Sequence, residues 1–422
     1  MIKLEMGIIS ESSERITSGT KSGSGLNILF LTARYPYPII GGDRIKPFNI
    51  LSHLAKKHNV TLVSNFHGGE PPQEYVDAVR NIGVELHAVP LYPVSSGLRA
   101  AVSTLGRLPL EIGFYTQKSF RETVAKLAAG RRFDVAFAFF MRTAEYLKDV
   151  PVPKILMAED CRTLYQKRSF DESKNLKQKI IRYWEYMKLR KYEPEIVNHF
   201  DATTLVTNVD IDAMTLQNPK ARYRLLTNGV DIYRYRPPEN TAVRRNLLFT
   251  GKLDLWANFL MLDNIIKNIF PALKKRFPGL KLQIVGAQPT AKIRNLASDD
   301  IELFFDVPDF TPYLQKARVF IHPHIGATGI QNKLLEAMSC GCPVVTTPTG
   351  IQGIDAVQGE HAFIGTNNQE IIEYSARILA DDELAESMSH RARQLIEETH
   401  SWEKVFSDVD SIIEEVVSLN NQ

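Results

Sequence analysis

Cysteine is nearly absent from this sequence. The three present, Cys161, Cys340 and Cys342, cannot build a disulfide framework and lack metal-ligand spacing, which points to a reducing compartment. Neither sign of charge is in excess. Lys and Arg number 51 against 48 Asp and Glu, a net charge of +3, so any basic patch must be local and the balance alone makes no case for nucleic acid. Long apolar runs are missing too. No stretch of ~18 apolar residues occurs, and no membrane-spanning helix is expected. The opening MIKLEMGIISESSERITSGTKSGSG has no apolar h-region or cleavage-like site. No secretory signal is expected there, and the chain reads as cytoplasmic, with contact to the inner face of a membrane left open.

What is present is an ordinary globular composition, 44% hydrophobic and 23% charged over 422 residues. That excludes collagen, coiled coil and wholesale disorder, and suggests two or three domains. Residues 1–25 are rich in Ser, Gly, Thr and charge and read as a mobile tail. Order begins at Ile28–Thr32, a short apolar run fitting a buried parallel strand. A Gly-containing loop, a helix over IKPFNILSHLAKKH and the strand NVTLVSN complete a βαβ unit. The alternation continues through VELHAVPL, KSFRETVAKLAAG, FDVAFAFF, VPKILMAED, a charged aromatic helix near 175–198, and DATTLVTN. TNGVDIYRYRPPEN is polar with Pro237-Pro238 and reads as a linker. The pattern then restarts: RRNLLFTGKL, a helix over 258–277, LKLQIVGA, IELFFDV, VFIHPH and CPVVTTP, with helix almost throughout from Asp381. Two similar α/β halves follow from this alternation.

Several residue groups could carry chemistry. Gly41 and Gly42 precede the first helix. Glycine there lets a phosphate or sugar approach the backbone, and a helix start favours an anion; a plain tight turn explains them equally. Arg44 and Lys46 follow, either to meet an anionic ligand or simply to be solvated. In 321–350 a strand ends at His322–His324, a loop with Gly326 and Gly329 follows, and a helix begins near Ile330. Its N-terminus offers free N–H groups to a diphosphate. Lys333 and Glu336 share a face of that helix. Glu336 could accept both hydroxyls of a ribose; a surface ion pair is the alternative. Cys340 and Cys342 read as small core residues. His322 or His324 could line a cleft, with a structural role for one of them.

The 321–350 stretch resembles the donor-site signature of family 4 glycosyltransferases, the group 1 glycosyltransferases of GT-B fold. TNGVD at 227–231, YPYPIIGGDRIKPFNILSHLAKKH, LLFTGKLDLWAN and HSWEKV resemble further motifs of that family, in consistent order from about residue 27 to 407. GIQNKLLEAM and GDRIKPFNIL look most like the sugar transferases of exopolysaccharide gene systems. The resemblance implies two Rossmann-like doubly wound domains facing a central cleft: an acceptor domain (26–226), a linker (227–245), a nucleotide-sugar domain (246–395) and a C-terminal helix (396–422) crossing back to the first.

It also implies roles. Glu336 matches the ribose-binding second Glu of a Glu-x7-Glu pair. The first position is Thr328, so a donor-sugar carboxylate is missing. Gly329, Ile330 and Gln331 would present backbone to the sugar or diphosphate. Lys252 matches the diphosphate-binding Arg/Lys; the usual second Lys is absent, so Asn258, the helix start or Lys333 would substitute. Retaining transfer would need no metal and no cofactor beyond the nucleotide-sugar co-substrate. The acceptor would be a saccharide or lipid-linked saccharide, in polysaccharide biosynthesis. Candidates near the reacting carbon are Asp160 and His67, with Glu159 as rival to Asp160. Alternatives are a GT-B epimerase, a phosphorylase-type enzyme, a non-catalytic sugar-nucleotide-binding or scaffold protein, and a two-domain binding protein of periplasmic type.

One feature lies outside those motifs. From Arg162 to Lys191 ten Lys/Arg stand against three acids, with Trp184, Tyr183, Tyr186, Ile180, Ile181 and Met187 among them. Residues 99–132 add seven Lys/Arg against Glu111 and Glu122. A basic amphipathic helix with aromatics can lie on an anionic membrane; the alternative is a solvated face packed on the domain. No nucleic-acid motif accompanies the stripe, and nucleic acid is not expected as a partner.

Overall fold

The computed structural model describes residues 25–103, 105–173, 175–240, 244–324, 326 and 329–420. All but Gly25 of the expected tail lies outside them, as do Thr328 and Lys174. The strands form two sheets, parallel throughout. The first contains β1 (Asn27–Thr32), β2 (Asn59–His67), β3 (Val84–Leu91), β4 (Val135–Phe139), β5 (Lys154–Glu159), β6 (Ala202–Leu205) and β7 (Tyr223–Leu225), in the order β3-β2-β1-β4-β5-β6-β7. The second contains β8 (Arg245–Lys252), β9 (Leu282–Ala287), β10 (Ile301–Phe305), β11 (Ala317–His322), β12 (Val344–Thr346) and β13 (Phe363–Ile364), in the order β10-β9-β8-β11-β12-β13.

Helices cover both faces of each sheet. In the first half they are α1 (Gly42–Lys57), α2 (Gln73–Arg80), α3 (Pro93–Ser103), α4 (Leu110–Tyr115), α5 (Lys118–Gly130), α6 (Arg162–Glu172), α7 (Leu176–Ile196) and α8 (Asn208–Gln217). In the second they are α9 (Trp256–Asn264), α10 (Phe270–Arg276), α11 (Ala291–Arg294), α12 (Thr311–Lys316), α13 (Asn332–Ser339), α14 (Asn368–Ala380) and α15 (Asp382–His400), with α16 (Trp402–Leu419) last.

The unbroken apolar runs of the strands follow from burial on both sides. In β1, Ile28 and Phe30 enter one core while Leu29 and Leu31 enter the other, as a period of two requires. β4 does the same with Val135, Phe137 and Phe139 on one side and Ala136 and Ala138 on the other. β8 splits Leu247 and Phe249 from Leu248.

The last helix packs on the first domain. Trp402, Val405, Val409, Ile412, Ile413 and Val416 form a stripe of helical period in the same core as Ile28, Phe30 and Val135. Asp410 ties it to α1, accepting from Lys57 at 2.9 Å and lying 2.9 Å from His53 Nε2.

Three local details go beyond the expectations. The stretch 227–245, read as a linker, is packed on the C-terminal helices at its start. Val230 N donates to His400 O at 2.8 Å, His400 Nδ1 lies 3.2 Å from Asn228 O, and Gly229 rests against Trp402, where a Cβ would come 2.4 Å from the indole. The helix expected over 258–277 is α9 and α10 joined by a π-helical segment, Ile265–Ile269. Pro271 has no N–H, and its ring crowds the carbonyl four residues back, which favours the wider turn. The C-terminal helical tail breaks at Ser401, whose hydroxyl caps α16 by accepting from Lys404 N at 3.3 Å.

Candidate active site

Each sheet has one place where strand order reverses: between β1 and β4 in the first, between β8 and β11 in the second. Ligands of open parallel sheets bind at the carboxyl ends beside that point. The first contributes Gly41 at φ 89, Gly42, Phe140 at φ 62 and, one strand on, Glu159 at φ 72 and Asp160. The second contributes Gly251 and Lys252 after β8, and His322–His324 after β11. Gly329, at φ 71, and Gln331, the residue before α13, follow.

On the second-domain side the cations and amides converge. Lys333 Nζ donates to Asn258 Oδ1 at 3.1 Å, and Asn258 Nδ2 donates to Lys252 O at 2.8 Å. A Cβ on Gly251 would lie 3.0 Å from Asn258 Nδ2 and 3.1 Å from Lys333 Nζ, so glycine lets both side chains approach. Lys252 itself is exposed, 3.6 Å from Asp254.

One turn along α13, Glu336 is half-buried beside Tyr235 and near Arg234 and Asp309. Arg234 Nη2 binds Asp309 at 3.1 Å. Burial pushes the Glu336 carboxyl up to about 7, against the pull of Lys333, Arg234 and Tyr235. Burial lowers Lys333 to about 8, with Glu336 opposing. These two groups are therefore not the exposed ion pair of the simpler reading. Arg234 and Tyr235 were hidden in a stretch that reads as linker, and no periodicity there marks them.

His322 is fully buried, between Phe249 and Phe320 with ring centroids at 6.4 and 6.0 Å. Burial and then Lys333 hold its imidazole, and that of His324, in the neutral form; His324 falls to about 4. His322 is a core residue, while His324 is 8% exposed.

The first domain closes over this edge. Gly42 lies against Asn332 at the start of α13: a Cβ on it would come 3.2 Å from Asn332 Nδ2. Asn228 Nδ2 donates to Asn332 Oδ1 at 2.9 Å. Gly329 approaches Val206, and Ile330 shares a core with it. Arg168 of α6 reaches Gln352 at 2.8 Å, and the Glu172 carboxylate covers Gly326, where a Cβ would overlap it. Of the expected residues, Gly42, Gly329 and Ile330 thus stand where the two domains meet, and Lys333 and Glu336 follow along α13.

Lys46 is not the solvated lysine its sequence context allows. It is 2% exposed and donates to Glu159 Oε1 at 2.9 Å, Oε2 at 3.1 Å and Leu226 O at 2.9 Å. It and Glu159 are buried and committed to one another. Arg44 is half-buried, with Nη1 3.5 Å from Pro38 O.

His67 and Asp160 stand at the ends of β2 and β5, three strands apart, or about 14 Å of sheet. They are not a hydrogen-bonded pair. Burial first, then Arg34, Arg44 and Arg142, keeps His67 below its ordinary value. Asp160 Oδ2 lies 3.3 Å from Arg162 Nη1. Between the two candidates runs a network that the sequence did not reveal: Glu111 binds Arg162 at 2.6 Å and Arg142 at 2.5 Å. Burial raises the Glu111 carboxyl, but the two guanidiniums outweigh that and bring it down to about 2.

The basic stretch 162–191 is not one surface. Arg162 is drawn into the Glu111 network and α6 packs toward the second domain, whereas the first half of α7 is exposed. Among the described residues no group of three or more His, Cys, Asp or Glu is placed to hold a metal, and no helix is long and apolar enough to cross a membrane.

Residues 244–381 match the family model described as glycosyl transferases group 1. A Klebsiella pneumoniae protein, described as an uncharacterized 44.6 kDa protein in the cps region, is 22% identical over 408 residues, covering 90% of this chain and 98% of that one. Sucrose-phosphate synthase from Thermosynechococcus elongatus superposes with a TM-score of 0.66 at 14% identity, over 93% of this chain and 100% of that one. The Anabaena protein Alr3699/HepE, solved in complex with UDP and glucose, gives 0.62 at 12% identity, over 92% and 100%. By its two parallel sheets and its likeness to these structures the chain has the GT-B fold, and residues 244–381 are similar to the group 1 glycosyl transferase domain.

Proposed function

We propose that the chain transfers a sugar, with retention and without a metal, from a nucleotide-diphosphate sugar to a saccharide or lipid-linked saccharide in polysaccharide assembly. One observation carries the reading. Lys333, Asn258 and Gly251 converge at the β8/β11 reversal, Glu336 lies one turn further along α13, and Gly42 of the other domain lies against Asn332 at the start of that helix.

In this reading the diphosphate lies against Lys333, Asn258 and the start of α13, where unpaired N–H groups and the helix dipole favour an anion. Lys252 adds a second cation at the rim. The Glu336 carboxylate accepts the two ribose hydroxyls. Gly41 and Gly42 leave room for the transferred sugar between the domains. The acceptor hydroxyl forms a new bond to the anomeric carbon on the face from which the diphosphate departs. The old carbon–oxygen bond breaks, and the leaving diphosphate oxygen takes the hydroxyl proton. The protein then acts by positioning and by stabilising charge that grows on the diphosphate. Asp160 and His67 flank the acceptor side. The UDP complex of the Anabaena neighbour and the cps setting of the Klebsiella relative support a nucleotide donor and a polysaccharide pathway.

The test is calorimetric titration of UDP, GDP, ADP, CMP and their common sugar conjugates. Wild type should bind one nucleotide class selectively, and Glu336→Ala should bind it at least tenfold more weakly, because a hydrogen-bonded charged group is worth ~1.5–3 kcal/mol. Absence of binding by a folded wild type would leave a scaffold role. Turnover of a nucleotide sugar without acceptor would favour an epimerase.

A further inference from the structure

Eleven of the twenty-one exposed large hydrophobic side chains among the described residues fall in two short segments, 92–105 and 176–187. The segments are neighbours in space. Lys188 of α7 donates to Ser103 O and Gly106 O at 2.7 Å each and to Leu108 O at 3.2 Å, fastening the end of α3 beside α7. From α3 and its following turn, Leu98, Val102 and Leu105 are 68%, 60% and 91% exposed; from α7, Ile180, Ile181 and Trp184 are 61%, 46% and 47%. Monomeric proteins seldom leave so many large apolar groups together in water.

The charge around them is of one sign. Within 92–110 and 176–191 there are eight Lys/Arg and a single acid, Glu185. Glu185 is 3% exposed and points inward, accepting from Leu110 N at 2.8 Å and Glu111 N at 3.1 Å. From these two segments the outward face shows apolar and aromatic groups among cations such as Arg107, Lys177 and Lys191, and their one acid is turned inward; the exposed Asp171 and Glu172 stand at the neighbouring end of α6.

We infer that this α3–α7 face docks on an anionic lipid bilayer. Apolar side chains and an interfacial Trp set among lysines fit a headgroup boundary, where the stems enter and the ammonium groups meet anionic lipid. Protein interfaces show the opposite trend, with lysine depleted. The surface differs from the basic stretches 162–191 and 99–132 read in the sequence: most of α6 drops out, and of the second stretch only its start remains, extended back to Tyr92. It also adjoins the acceptor edge, because Glu185 holds the start of α4, whose Glu111 binds Arg142 and Arg162. An acceptor embedded in the same bilayer would be presented beside the cleft.

The test is flotation of the full chain with phosphatidylcholine vesicles, with and without phosphatidylglycerol, at low and high salt. Wild type should float with the anionic vesicles at low salt and be released by high salt. Arg107→Ala with Lys177→Ala should weaken binding roughly 25-fold, about fivefold per charge. Leu105→Ser with Ile180→Ser should weaken it at both salt levels. All four positions are exposed, so thermal melts should match wild type. Failure of wild type to float at low salt would overturn the inference, as would flotation unaffected by both pairs. A wild-type dimer that Leu105→Ser makes monomeric, without flotation, would assign the face to a second copy. None of these outcomes depends on the donor site, since the melt alone serves as the control of folding.

Discussion

Lys46 offers the most exacting test of how the first domain is held together. Its ammonium is buried against both oxygens of Glu159 and against Leu226 O, the last residue before the crossover at 227. Burial lowers the Lys46 pKa and raises that of Glu159, and their mutual attraction opposes both shifts. Glu159 also sits at φ 72, which costs a non-glycine residue about 1–2 kcal/mol. Lys46→Met would leave a buried carboxylate and a carbonyl without their donor. Removing one partner of a buried pair costs about 3–5 kcal/mol. At ~2–4 °C per kcal/mol for a domain of ~200 residues, the first domain's transition should fall by about 6–20 °C in scanning calorimetry. The sign with pH follows. In the variant Glu159 has a raised folded pKa, so the folded state binds more protons than the unfolded one, and the deficit grows as pH rises. Lys46→Met with Glu159→Leu should recover most of the loss, because the stranded charge is gone. A single variant within ~2 °C of wild type, or a double variant no better than the single, would refute the reasoning.

Two further outcomes follow. Nucleotide-sugar binding should be tightest near pH 7–8, since below about 7 Glu336 must release a proton to accept the ribose and above about 8 Lys333 must take one up; calorimetry in buffers of different ionisation heat would detect that exchange, and affinity flat from pH 6 to 9 would exclude both groups. Gly229→Ala would push a methyl into the Trp402 indole, itself stacked on Phe406 at 5.7 Å; a loss of ~1–3 kcal/mol is expected in denaturant unfolding, and a change below ~0.5 kcal/mol would mean that the crossover packs loosely.

The strand–helix alternation was legible because parallel strands buried on both faces must be apolar throughout, and few other structures need runs such as Ile28–Leu31. Glu336 and Lys333 were legible as neighbours for a similarly local reason: three residues on a helix share a face. What they meet was not. Arg234 comes to Glu336 from a stretch that looks like linker, and Glu111 comes to Arg142 and Arg162 from an unrelated helix.

The sequence by itself determined the α/β character, the two-domain repeat and the glycine positions, since these depend on residue period and backbone freedom within a few residues. Tertiary structure decided which charges are available. Lys46 looks like a ligand-binding or solvated lysine and is a buried tie. Arg162 looks like part of a basic stripe and is consumed by Glu111 and Asp160. Leu98 and Leu105, unremarked in the sequence, complete an exposed apolar face. Burial and pairing depend on which distant segments pack together, and a charge has no fixed role until its partner and its access to water are set.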